Sequence, residues 1–96
     1  MITWVLYDIP NDRARTRVAK FCKQAGLYRV QYSVFLGKLP PSERDSLHLQ
    51  IEAEINLDKD KVYIFPMNKV ELQTSILLGQ AFDKKLVTDQ VQALFF

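Results

Sequence analysis

The hydrophobic and polar positions change period along the chain, and the first two periods predict a strand followed by a helix. Residues 2 to 9 are mostly β-branched, aliphatic or aromatic, and Pro10 closes this strand. Asn11 or Asp12 can then cap a helix, which ends at Gly26, where a left-handed backbone is tolerated. The apolar positions of this helix form one stripe: Ala14, Val18, Phe21, Cys22 and Ala25.

The next segment, residues 27 to 36, alternates and predicts a single second strand. One of its faces is apolar and is expected to pack on helices. That face consists of Tyr28, Val30, Tyr32, Val34 and Leu36. The other face is largely polar and consists of Leu27, Arg29, Gln31, Ser33 and Phe35. This second face is either an ordinary solvent-facing surface or the surface available to a partner or ligand.

A turn at residues 37 to 41 precedes a second helix, for which Ser42 and Asp45 resemble a start signal. The helix is predicted to run to about Asn56 on a helical stripe of apolar residues. The members of that stripe are Leu47, Ile51 and Ile55.

The last third of the chain predicts two more strands and a tail. Residues 62 to 65 are apolar at every position and predict a strand that Pro66 ends, and residues 75 to 79 predict a further strand. From Phe82 the spacing fits either a helix or a strand. For residues 83 to 96 we favour an extra C-terminal strand or arm that packs on a partner subunit.

Taken together, these elements predict an α+β fold. We interpret it as a ferredoxin-like βαββαβ sandwich with an antiparallel sheet, formed by residues 1 to 82 as one domain. The helices of such a fold cover one sheet face only, yet the predicted strands carry apolar groups on both faces. We therefore expect a face-to-face homodimer, in which a second copy covers the open side.

Composition and charge narrow the function. Residues 1 to 40 carry seven basic and two acidic side chains, whereas residues 41 to 96 carry six basic and nine acidic ones. This asymmetry indicates either a polyanionic partner for the first half or a solvated helix face. The absence of a membrane-length apolar run and of a signal-peptide pattern predicts a cytoplasmic protein with no membrane partner. The single cysteine excludes an internal disulfide framework.

Three side chains are candidates for chemistry. Asp8 is unusual because a carboxylate within an apolar strand needs a cation, a proton or a basic side chain beside it. Cys22 falls in the apolar helical stripe and is interpreted as a small core residue. His48 has no second histidine or cysteine at metal-binding spacing, so we expect it at the surface.

Motifs in the first two-thirds of the chain resemble those of a known family, the small CRISPR-associated Cas-two proteins of spacer acquisition. The resemblance lies in Tyr7-Asp8-Ile9, in Asp12-Arg13 with Arg15, Arg17, Val18, Ala19 and Lys20, and in the run from Gly26 to Phe35. It extends more loosely through the second helix and residues 62 to 66. The joint occurrence of these motifs in this order is more specific than any one of them.

The resemblance implies a ferredoxin-like homodimer described as a metal-dependent endonuclease on RNA or DNA. It also implies a central DNA-contacting role between two dimers of the CRISPR-associated integrase. By matched position Asp8 is the metal-linked catalytic aspartate, and Tyr7 accompanies it. Positions associated with activity or nucleic-acid contact are occupied by Arg15, Arg17, Arg29, Ser33 and Phe35. Arg13 joins this set, although Ala14 stands where an adjacent-arginine pair is common.

A metal site at Asp8 is chemically reasonable. Magnesium is often held by only one or two carboxylates, so two Asp8 side chains across a dimer axis are a sufficient minimal site for Mg²⁺ or Mn²⁺. Two facing carboxylates resist joint ionisation, so activity is expected to need neutral to alkaline pH.

Two functions remain open at this point. One is a metal-dependent phosphodiesterase that uses Asp8; the other is a non-catalytic dimeric adaptor that grips a DNA duplex and holds integrase dimers. A ferredoxin-like ribonuclease of toxin type, or a small-molecule regulatory domain of the same fold, is a third and weaker alternative.

Overall fold

A computed structural model describes residues 1 to 79 of the chain. The predicted C-terminal arm, residues 83 to 96, lies outside these described residues. Seven elements follow one another: β1 (Ile2–Asp8), α1 (Asp12–Gln24), β2 (Tyr28–Gln31), β3 (Val34–Lys38), α2 (Pro41–Glu54), β4 (Lys61–Met67) and α3 (Lys69–Thr74). None of the described helices is long and apolar enough to cross a membrane.

The four strands form one antiparallel sheet in the order β2-β3-β1-β4. With α1 and α2 inserted after β1 and β3, this is the ferredoxin-like βαββαβ arrangement, so the predicted fold class is confirmed. β1 lies at the centre because its residues are apolar on both faces, and a strand between two neighbours needs cover on both sides.

One face of the sheet carries the main core. Val5 and Tyr7 of β1, and Ile9 just after it, pack against the apolar stripes of α1 and α2. The helical members of this core are Ala14, Val18, Ala19, Cys22, Leu47 and Ile51. The interpretation of Cys22 as a core residue is confirmed. The other face, called the open face below, carries Ile2, Trp4, Leu6 and Asp8 of β1.

α1 begins and ends where the sequence indicates. The side chain of Asn11 accepts a hydrogen bond from the backbone N–H of Ala14 at 2.9 Å, which satisfies one of the free donors of the first turn. Gly26 follows the helix with a φ of 90°, a conformation that costs a glycine little. The helix start therefore has a fixed position just after β1.

The prediction of one strand over residues 27 to 36 is wrong, because the segment forms a hairpin. β2 ends at Gln31, Tyr32 and Ser33 form the turn, and β3 begins at Val34. A register shift between Arg29 and Gln31 also interrupts the alternation. The two predicted faces also lie on the opposite sides of the sheet from those expected. Leu27 and Phe35 of the predicted polar face pack with the helices, whereas Val30 and Leu36 of the predicted apolar face pack on the open face.

The end of the described chain also differs from the prediction. Residues 75 to 79 are not a strand, and α3 precedes them, started by a capping box in which Asn68 and Glu71 bond each other's backbone N–H. Leu72 of this helix is buried against Ile2 and Leu36. α3 therefore covers one end of the open face, which the sequence argument had assigned entirely to a second copy.

Two element boundaries differ from the prediction because of the conformational properties of proline. α2 begins at Pro41, one residue before the predicted Ser42, because proline suits the first helical position, where no N–H bond is needed. β4 continues through Pro66 because β4 is an edge strand of the sheet formed by residues 1 to 79, and proline is tolerated at such an edge.

Candidate nuclease site at the end of the first strand

Asp8 is the last residue of β1 and its side chain is exposed. It lies on the open face in line with Trp4 and Leu6, directly opposite Lys61 of β4. Within residues 1 to 79 Asp8 takes part in no ion pair. A carboxylate in an apolar strand is expected to need a charged or hydrogen-bonding partner, but within residues 1 to 79 the Asp8 carboxylate is instead solvated at the rim of the sheet.

Tyr7 lies on the opposite side of the sheet from Asp8, as alternation requires. Its side chain is 6% exposed, and its hydroxyl donates a hydrogen bond to the Tyr32 carbonyl oxygen at 3.3 Å. Its backbone N–H donates to the Ser33 carbonyl oxygen at 3.0 Å. The expected chemical role beside Asp8 therefore does not match the geometry: Tyr7 anchors the hairpin turn next to the strand end.

The ionisation of Tyr7 agrees with that structural role. Burial raises the pKa of the Tyr7 phenol, and the nearby positive charge of Arg29 lowers it in part. The hydroxyl consequently keeps its proton at neutral pH and remains a hydrogen-bond donor to the turn.

Phe35 and Arg29 form a pair next to Tyr7. Phe35 is fully buried and stacks on Tyr7 with 6.3 Å between ring centroids. The guanidinium of Arg29 lies 5.1 Å above the Phe35 ring centroid while the residue as a whole is exposed. In this structure nucleic acid cannot reach the buried Phe35 ring. The exposed Arg29 guanidinium above the ring is the group that a phosphate can reach.

Arg15 fastens the connection between β1 and α1. It donates hydrogen bonds to the carbonyl oxygens of Ile9 and Pro10 at 3.1 and 3.2 Å, and it pairs with Asp12. These contacts occupy much of the guanidinium. Arg15 therefore holds the backbone that follows Asp8 in addition to supplying charge there.

The other two arginines of α1 differ in their surroundings. Arg17 pairs with Glu54 at 3.0 Å and lies over the Phe21 ring. Arg13 is exposed and, within residues 1 to 79, is in no ion pair. It lines a cleft of about 530 Å³ between the start of α1 and the loop after α2, together with Glu54 and Lys59. Arg13 is thus the α1 arginine with its charge most available.

Two features of the hairpin turn were not predicted from the sequence, namely the exposure of Tyr32 and the hollow beside it. Tyr32, assigned to a buried apolar face, is 87% exposed. Together with Arg29 and the half-buried Ser33 it lines an open hollow of about 600 Å³. Lys61 was also missed as a neighbour of Asp8, because only the pairing register of β1 and β4 reveals it.

Metal ligands are sparse around Asp8. No group of three or more His, Cys, Asp and Glu side chains converges anywhere in residues 1 to 79. A carboxylate is a hard oxygen ligand of the kind that magnesium prefers, and magnesium tolerates sites with one or two protein carboxylates. The exposed Asp8 fits such a site, provided that a second chain or the substrate supplies the remaining ligands.

Comparison with known proteins gives a consistent family. The family model described as "CRISPR associated protein Cas2" matches residues 1–75. "CRISPR-associated endoribonuclease Cas2 1" of Archaeoglobus fulgidus is 38% identical over 79 residues, which are 82% of this chain and 84% of the relative. A relative from Chloroflexus aurantiacus, "CRISPR-associated endoribonuclease Cas2 2", is also 38% identical and is matched over 93% of its length.

Solved structures agree with the same assignment. The crystal structure of Streptococcus pyogenes Cas2 at pH 6.5 superposes with a TM-score of 0.71 at 26% sequence identity. The superposition covers 82% of this chain and all of that one. The fold and the order of elements are therefore those of the compared structure.

Proposed function

The chain belongs to the CRISPR-associated protein Cas2 family, and from that premise we propose that it is a metal-dependent nuclease that hydrolyses phosphodiester bonds through Asp8. The observation that carries the proposal is the position of Asp8: an exposed carboxylate at the strand end that is in no ion pair within residues 1 to 79, flanked by Lys61 and by the hairpin turn. The family relatives named above are endoribonucleases, which supports RNA as a substrate and leaves DNA as the other candidate.

The proposal requires a homodimer. Beside Asp8 the open face presents a patch of apolar side chains that α3 leaves uncovered: Leu6, Tyr63 and Phe65. Stacking a second copy on this patch by a two-fold axis buries it and brings each Asp8 toward its equivalent. Two carboxylates, one from each chain, then complete the minimal ligand set for Mg²⁺ or Mn²⁺.

The roles of the chain's own residues follow from their places. Asp8 would hold the ion, and magnesium bound there would supply the Lewis acidity and the acidification of water that phosphodiester hydrolysis needs. Backbone phosphates are neutralised by Lys61 beside Asp8, by the exposed Arg13 in the first turn of α1 and by the exposed Arg29 above Phe35. Tyr7 keeps the turn in register with the strand end through its hydrogen bonds to Tyr32 and Ser33.

Cleavage assays on purified wild type and Asp8→Asn, each with Mg²⁺ and with EDTA, test the proposal. We expect wild type to cleave single-stranded RNA or DNA with Mg²⁺ only, and Asp8→Asn to lose at least about a hundredfold in rate, because the substitution removes an anionic ligand. The matched control is Asp45→Asn, an exposed carboxylate on α2 that is in no ion pair within residues 1 to 79. It should cleave like wild type.

Equal cleavage by wild type and Asp8→Asn would assign the activity to a contaminant. That result would leave the second candidate function, a non-catalytic adaptor that binds duplex DNA and bridges integrase dimers. The sparse site favours this candidate: within residues 1 to 79 no three potential metal ligands converge, and the Tyr7 phenol is turned away from Asp8. The adaptor predicts that duplex binding survives Asp8→Asn unchanged.

A further inference from the structure

We propose that Tyr32 is a base-stacking site that selects unpaired nucleotides at the strand end. The inference rests on the proposed function and adds to it a residue that determines specificity, because a ring can stack on a base only where that base is unpaired, flipped or frayed. Tyr32 lies within the run from Gly26 to Phe35 that resembles the family, but it belongs neither to the metal site nor to the positions associated there with activity or nucleic-acid contact.

The Tyr32 side chain is unusually exposed for a tyrosine. The residue is 87% exposed at the tip of the β2–β3 hairpin, although tyrosine usually buries much of its ring. The neighbouring aromatic residues Tyr7 and Phe35 are buried and stacked on each other, so the core at this end of the sheet is packed without the Tyr32 ring. The position of Tyr32 therefore serves something other than packing within residues 1 to 79.

The backbone of the turn is fixed relative to the end of β1. The Tyr32 carbonyl accepts from the Tyr7 hydroxyl at 3.3 Å, and the Ser33 carbonyl accepts from the Tyr7 backbone N–H at 3.0 Å. Both bonds lead to the residue that immediately precedes Asp8. These bonds hold the backbone of the turn beside the end of β1, so the Tyr32 ring is carried next to the strand that bears Asp8.

The positive charge of Arg29 lies near the Tyr32 side chain. Tyr32 and Arg29 line the same open hollow of about 600 Å³, together with Ser33 and Gln31. An exposed aromatic ring next to a cation and small polar groups is the arrangement that single-stranded nucleic-acid sites use, since the base stacks while the cation meets the phosphate. A paired base inside a duplex has both of its faces stacked on neighbouring bases and cannot stack on the Tyr32 ring.

Binding measured in an Asp8→Asn background, so that cleavage cannot intervene, tests the proposal. The probes are a single-stranded RNA carrying 2-aminopurine and a blunt RNA duplex of the same sequence. We expect Tyr32→Ala to weaken single-strand binding about tenfold and to abolish the fluorescence quenching that stacking causes, while duplex binding changes less than about twofold. Tyr32→Phe, which keeps the ring, should restore both, and Leu49→Ala, an exposed apolar residue on α2, should change neither.

The proposal is overturned by an equal loss on single strand and duplex, by no loss on either, or by a wild-type surface that does not bind single strands. A Tyr32→Ala chain that loses its dimer mass by light scattering would make Tyr32 an interface residue and would also overturn it. Failure of the proposed nuclease is a separate outcome: wild type then cleaves nothing with Mg²⁺, whatever the Tyr32-dependent quenching shows.

Discussion

The four arginines near the strand end differ in what holds them, and this difference separates binding from stability. Arg15 is bonded to the Ile9 and Pro10 carbonyls and Arg17 to Glu54, whereas Arg13 and Arg29 keep their charges exposed. Sequence motifs place all four in one class, because a motif records residue type and spacing. Their intramolecular partners become visible only once the α1 start is placed beside the end of β1.

We predict that Arg13→Ala and Arg29→Ala weaken nucleic-acid binding and reduce its salt slope by about one each, because each removes one phosphate contact. Arg15→Ala should instead lower the free energy of unfolding by about 1 kcal/mol, because two backbone carbonyls lose a donor. Fluorescence anisotropy over a salt series and urea unfolding measure the two effects. Unchanged salt slopes in both Arg13 and Arg29 variants would remove those residues from the contact surface.

Cys22 gives a pH dependence whose sign can be worked out. Burial raises the pKa of the Cys22 thiol from 9.0 to about 12. The unfolded chain ionises this thiol first, so its contribution to stability is complete below pH 9 and is lost as the pH rises toward the folded value.

We predict that wild type loses about 1 to 2 kcal/mol more unfolding free energy than Cys22→Ala between about pH 8 and about pH 10.5. Urea unfolding of both chains at each pH measures the difference, and Cys22→Ala serves as the control for every other titrating group. Parallel pH profiles for the two chains would show that Cys22 does not titrate differently in the folded state.

At the scale of elements, the predictions succeeded where a local signal decided the structure. Asn11 and Gly26 fixed α1, and the apolar run from Val62 fixed β4. The hairpin was not predicted because a strand and a two-residue turn can share one alternating pattern. Tyr32 and Ser33 continue the alternation of apolar and polar residues although they form the turn. α3 was missed although Asn68 and Glu71 carry a capping signal, since six residues are too few for a helical period to be visible.

The candidate site followed a similar division. Asp8 and the arginines could be found from sequence because residue type and spacing identify them. Lys61 and Tyr32 could not be found, because their relation to Asp8 depends on strand register and on the turn. Residues distant in sequence become neighbours only through pairing, so no local pattern records them.

The capping box of α3 supports the next prediction. Asn68→Ala removes the acceptor that holds the Glu71 N–H at 2.8 Å, and such a loss costs about 1 kcal/mol of helix stability. The Leu72 amide, which donates to the Asn68 carbonyl, should then exchange with solvent about fivefold faster. Hydrogen exchange followed by NMR measures this, with Gln73→Ala, an exposed position in the same helix, as the control. Equal exchange in the two variants would mean that burial of Leu72 alone holds α3.

At the scale of the whole molecule, the two sheet faces have different tasks. The helix-covered face holds a closed core, while α3 shields only the end of the open face near Ile2. The remaining apolar patch, with Tyr63 and Phe65, adjoins the exposed Asp8. An apolar patch beside an exposed carboxylate suits an interface whose edge forms a site, so the nuclease proposal and the dimer proposal depend on one surface.

This dependence makes the dimer testable without substrate. Tyr63 is 61% exposed, so Tyr63→Arg should leave the single chain folded but place a buried, unpaired charge in the interface. We expect light scattering to give the mass of one chain for Tyr63→Arg and of two for Leu49→Arg, whose position on α2 is 64% exposed and lies away from the open face. Because the proposed metal site uses two Asp8 side chains, the monomeric variant should also lose Mg²⁺-dependent cleavage. A Tyr63→Arg chain that remains dimeric would show that the copies meet elsewhere, and cleavage by a true monomer would show that one Asp8 suffices.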